Sequence, residues 1–134
     1  MGNLYFGLAW IVFALAIAVH VADEASHDFL SVYNPTVRSI RERLPFLPLP
    51  TFSFPAWIGG LVAGIVLLLA LSPLAFRGNE QLRLIAWPLA IIFGIGNALL
   101  HFAASAYRRR WMPGVYSAPI LLLAAVGLLA AASR

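Results

Sequence analysis

Three histidines and five carboxylates are all the chain offers for proton transfer or metal binding, and five of these eight crowd into one stretch, His20-Val21-Ala22-Asp23-Glu24-Ala25-Ser26-His27-Asp28. On a helix advancing 100° per residue, positions 20, 23, 24, 27 and 28 fall within an arc of about 140°. His20, Asp23, Glu24 and His27 then form one acidic, imidazole-rich stripe. A second polar pair, Asn97 and His101, stands four residues apart in an apolar run and shares its face with Ala90, Gly94 and Ala98. Those small residues let another helix pack close against the pair.

Imidazole and carboxylate groups at i,i+3 and i,i+4 spacing can hold a divalent metal from one helix face, with a second helix completing the coordination. On that reading His20, Glu24, His27 and His101 are ligands for zinc or iron. Asp23 orients a histidine or binds metal, and Asn97 orients substrate or water. Glu24-x-x-His27 also matches half of the motif of di-iron carboxylate bundles, but a single copy favours a mononuclear site. Without a metal, a buried His–Glu pair can serve as general acid and base, with His20, Asp23, Glu24, Asn97 and His101 as the catalytic set. The rival reading is an interhelical polar lock. Ionisable groups inside a membrane are costly to bury, which favours function for His20, Glu24 and His101. Asp28, at the helix exit, reads as solvated.

The elements that position these residues are membrane spans. Apolar residues make up 62% of the chain and charged residues 10%, against about 45–50% and about 25% in soluble domains. This excludes a large soluble domain and a disordered chain. Cysteine is absent, which excludes thiolate chemistry and disulfides. Four apolar runs, 4–22, 56–75, 84–106 and 115–132, are each long enough for a transmembrane helix. The expected fold is all-α: four transmembrane helices in an up-down bundle, one domain, with a long loop between the first two. Pro88 near the start of the third run is expected to kink it mildly at most. The tight turn Arg77-Gly78-Asn79-Glu80-Gln81 makes the second and third spans antiparallel neighbours. The link from Asp23 to Pro55 extends the first helix, offers a short helix over 37–44, and then breaks at Pro45, Pro48 and Pro50.

All the basic charge is arginine. Alternating the spans puts Arg38, Arg41, Arg43, Arg108, Arg109 and Arg110 on one membrane face and Arg77, Arg83 and Arg134 on the other. By the positive-inside rule the first face is cytoplasmic and both termini lie outside, in a bacterial inner membrane. The arginines suit anionic lipid headgroups rather than nucleic acid. Alternation also brings the exits of the first and third helices to one side and one depth, so both polar stripes can share a site.

At these residues the chain resembles the HXXEE-domain family of small membrane proteins. His20-x-x-Asp23-Glu24 is similar to the family's name motif, with aspartate for the first glutamate. Asn97-x-x-x-His101 matches its second motif. Trp111-x-Pro113-Gly114-x-x-Ser117 resembles a third, of the type Tyr-x-Pro-Gly-x-x-Thr. The resemblance spans nearly the whole chain and implies a shared site, towards which the third motif brings Ser117 or Tyr116. It implies no reaction, since the family's function is uncharacterised.

The reading is a membrane-embedded enzyme, of hydrolase, hydratase or isomerase type. Its metal-assisted or acid–base site lies near the cytoplasmic interface and acts on a lipid or other apolar small molecule. One alternative is a proton or metal-ion transporter or accessory subunit, which four helices would build as a homo-oligomer. Another is a haem protein with His20 and His101 as axial ligands.

Overall fold

The first apolar run forms α1, Gly2–Ser26, 25 residues and about 37 Å long. It belongs to a computed structural model that describes residues 1–134, every element of which is helical. After a left-handed break at Asp28 (φ 53°) the chain forms α2, Phe29–Arg43, an amphipathic helix ending in Arg41 and Arg43. The short helix expected over 37–44 is the second half of this element. Pro35 is tolerated within it.

The second span is α3, Phe54–Ala70, continued by α4, Ser72–Phe76. Pro73 has no N–H to give the carbonyl four residues back, so the ladder breaks at Leu71. The indole N–H of Trp10 donates to the Leu68 carbonyl beside the break, 2.7 Å away. That bond ties the first span to the second. The third span is one 29-residue helix in three parts: α5, Glu80–Pro88, a π-helical segment, Leu89–Gly96, and α6, Asn97–Arg108. The sequence suggested at most a mild kink at Pro88. The structure instead opens the ladder to i→i+5 bonding directly after the proline, over eight residues. Gly94 sits against Ala125 and Phe13, and any side chain there would overlap Ala125.

The fourth apolar helix, α7, Ala118–Ala132, has 15 residues, about 22 Å, and starts three residues later than expected. Thus three helices are long and apolar enough to cross a membrane, Gly2–Ser26, Phe54–Phe76 and Glu80–Arg108, and α7 is a shorter apolar helix. The second span is almost wholly exposed despite its apolar composition. Such a surface is stable only against lipid or protein.

The core is built of small residues meeting aromatic ones. Phe6, Trp10, Phe13 and Ala16 of α1 pack with Ala86 and Ala90 of the third span and Leu121, Ala125 and Leu128 of α7. α7 lies between the first and third spans, and the second packs on α1. The expected pairing of the second and third spans is therefore corrected: beyond their connecting turn, each packs mainly on another helix. Small side chains decide this, because Ala124, Ala125 and Ala131 let α7 approach more closely than the Leu-rich α3 can.

Arg83 closes the end of the bundle that holds both termini. Its guanidinium donates to the carbonyls of Ala131 (3.0 Å) and Ala132 and to Asn3 Oδ1 (3.2 Å), and it lies over the Phe6 ring. Asn3 in turn donates to the Arg77 carbonyl. A cation at the C-terminus of α7 satisfies carbonyls that the helix leaves open and complements its dipole.

Candidate functional site

His20 and Glu24 stand one turn apart near the end of α1, and His101 faces them from α6; all three are buried. Glu24 Oε1 is 3.0 Å from His101 Nε2 and 3.6 Å from His20 Nε2. The two Nε2 atoms are 3.2 Å apart, with the rings edge to face. The backbone N–H and the hydroxyl of Ser117 both donate to Asp23 Oδ2, at 2.9 and 2.7 Å. The Gly114 carbonyl, at 3.2 Å, is the longer alternative for that hydroxyl. With its one hydrogen on Asp23, the Ser117 oxygen accepts from His20 Nδ1, 2.8 Å away. This pattern assigns the His20 proton to Nδ1. In the neutral ring the Nε2 lone pair then points at Glu24 and His101.

Three donor atoms separated by 3.0, 3.2 and 3.6 Å match the spacing of about 3.4 Å around a tetrahedral ion with bonds of about 2.1 Å. The group could hold a metal. Asp23 and Ser117 stand behind His20 as the outer partners that fix a ligating histidine's tautomer.

The loop before α7 shapes the pocket for His101. Gly114 has φ +87°, and a Cβ there would lie 2.5–2.9 Å from three atoms of the His101 ring. Only glycine combines that backbone with that approach. The diverted N–H of Ser117 and the missing N–H of Pro119 delay the start of α7. On the other side, Phe29 packs against His101 and stacks on Trp57.

The remaining expected residues lie around this core. His27 is not among the three converging atoms: it is half-exposed one turn beyond Glu24. There its Nδ1 hydrogen-bonds to the Asp23 carbonyl oxygen at 2.9 Å and lies 2.9 Å from Asp23 Oδ1, and its ring packs on Tyr116. The helical stripe extends past the rim that buries it, because α1 ends at Ser26. Asp23 contacts Ser117 and His27 rather than the three-donor group. Asn97, one turn before His101, lies on the wall of a neighbouring cavity and not among the three donors. Asp28 is exposed. Hydrogen bonds thus link Asp23 through Ser117 to buried His20, with His27 beside Asp23 at the exposed end. Ser117, one of the two residues the third motif points to, joins the site through Asp23 and His20, and Gly114 makes room for the His101 ring. Their signal is the spacing Pro113-Gly114-x-x-Ser117.

Residues 4–128 match the family model of proteins of unknown function with an HXXEE motif. The chain belongs to the HXXEE family. Within the HXXEE motif, here His20-x-x-Asp23-Glu24, the first and last positions supply the two α1 donors. The first acidic position, an aspartate in this member, takes Ser117. No curated protein and no solved structure matches the chain.

Proposed function

We propose that the chain is a membrane-embedded enzyme whose centre is His20, Glu24 and His101, holding a divalent metal and acting on a lipid or other apolar molecule. One observation carries this reading: three atoms able to ligate a metal converge in a buried site while Ser117 and Asp23 keep the His20 proton on the far nitrogen. Such a set is repulsive unless a cation or a shared proton joins it. When bound, a divalent ion supplies Lewis acidity there. Glu24 contributes the negative charge, and His20 and His101 the neutral donors. Asn97, on the cavity wall, is placed to orient a substrate. The chemistry is of hydrolase, hydratase or isomerase type.

The second reading has its own observation. Glu24 and His101 are at hydrogen-bonding distance, 3.0 Å, and can exchange a proton as base and acid without a metal. A bis-histidine haem is disfavoured, because its two ligands flank a macrocycle, whereas these Nε2 atoms are 3.2 Å apart. The proposed setting is a bacterial inner membrane with α7 as a fourth crossing and both termini outside, as the arginine asymmetry supports. Elemental analysis and the absorption spectrum of protein purified in detergent test the centre. The expected result is about one zinc or iron per chain, with no Soret band. Protein that neither carries an ion nor takes up added zinc would eliminate the metal reading.

A further inference from the structure

Two cavities adjoin between α2 and the last turns of α6. The first, about 530 Å³, is lined by Arg43, Arg108 and Arg110 with the hydroxyls of Ser31, Thr36 and Ser39. The second, about 470 Å³, is mostly apolar, with Phe29, Leu100, Ala104 and Met112 on its walls, and it reaches Asn97 and His101. Thr36, Tyr107 and Arg108 line both, and Arg108 Nη2 donates to Thr36 Oγ1 at 3.3 Å where they meet. A cationic groove therefore leads into an apolar one that ends at the candidate centre.

The charges in the groove lack carboxylate partners. The chain's three ion pairs all involve histidine, and no arginine is paired with a carboxylate. Three guanidinium groups around one groove repel one another, and an anion removes that penalty. Guanidinium forks fit phosphate oxygens in pairs, and the neighbouring hydroxyls add donors. A free hydrated anion would occupy the first cavity and leave the second empty of any fitting group.

The geometry points to a binding site for an amphiphile carrying a phosphate monoester. Its head lies among Arg43, Arg108 and Arg110, and its chain runs in the apolar cavity towards Asn97 and His101. This rests on the proposed function and names the substrate class of the same centre.

Binding of ³²P-labelled dodecyl phosphate to the full chain in neutral maltoside micelles, with a chelator present, tests it. Saturable binding at least about tenfold tighter than that of labelled orthophosphate is expected, since the chain adds apolar contact. The triple variant Arg43→Gln/Arg108→Gln/Arg110→Gln should weaken binding at least about tenfold, while Arg38→Gln/Arg41→Gln/Arg109→Gln stays within about twofold. Ala104→Phe, which narrows the apolar cavity, should weaken dodecyl phosphate by about fivefold or more and leave orthophosphate unchanged. Equal losses in the two triple variants would mean surface charge alone and overturn the site. Orthophosphate binding as tightly as dodecyl phosphate, or an indifferent Ala104→Phe, would overturn the chain's placement and with it the amphiphile. Because the chelator removes metals, failure here with zinc uptake intact sinks only this inference. Zinc failure with dodecyl phosphate bound sinks only the metal.

Discussion

At one end of the bundle Arg83 reaches Asn3, the Ala131 and Ala132 carbonyls and the Phe6 ring; at the other, Glu24 lies between two histidine nitrogens. Both clusters hold several helices together by polar contacts. At the Arg83 end, donors of a permanently charged group meet fixed carbonyl and amide oxygens. Nothing there titrates. At the His20 end, two ring nitrogens and a carboxylate oxygen lie within 3.6 Å of one another, and His20 turns its lone pair rather than its proton towards the other two. Polarity alone therefore does not separate a lock from a site. The balance of donors against acceptors does.

Breaking each end should give opposite signatures. The largest effect is expected at Gly114→Ala, where the new Cβ meets the His101 ring and the left-handed backbone alone costs about 1–2 kcal/mol. Melting in detergent should fall, and zinc uptake should be lost even in the fraction that remains folded. Arg83→Ala comes next, with a loss of about 1–3 kcal/mol from uncapped carbonyls. Its zinc affinity, followed by titration, should match that of the unaltered chain. Arg83→Lys should recover little, since one ammonium cannot reproduce the forked contacts.

Smaller changes sharpen the comparison within the His20 end. Ser117→Ala removes the group that holds the His20 proton at Nδ1, so zinc affinity should drop about 10–100-fold with little change in helical content by circular dichroism. His27→Ala should be the mildest. It is half-exposed and outside the three-donor group, so melting should shift by no more than about 0.5 kcal/mol and zinc uptake should persist. A His27→Ala variant that lost zinc would move the centre outward along α1.

How far the sequence already contained this arrangement depends on the residue. His20 and Glu24 follow from helical periodicity at the end of an apolar run, and His101 from a polar group among small residues in another. Their meeting needed only alternation of spans. The π-helical segment was hidden, because Pro88 announces a disturbance but not the register change over the next eight residues. α7's short length was hidden for a related reason: apolar residues continue at Val115 and Tyr116, while the Ser117 N–H is drawn to Asp23 on a distant helix. His27 shows the limit of the helical wheel, which gives direction but not depth. Ser117 and Gly114 act through contacts with α1 and α6, and periodicity within their own segment carries no trace of either contact.

The central claim is that His20, Glu24 and His101 are a site rather than a lock, and Glu24→Gln tests it most directly. The substitution keeps the size of the side chain and removes the charge. With a chelator present, the variant should melt at or above the temperature of the unaltered chain, because relieving a buried charge is neutral or stabilising. Added zinc should raise the melting temperature of the unaltered chain by mass action and leave that of Glu24→Gln where it was. A variant that melts early in chelator, beside an unaltered chain that zinc does not stabilise, would contradict the account and make the cluster a second lock.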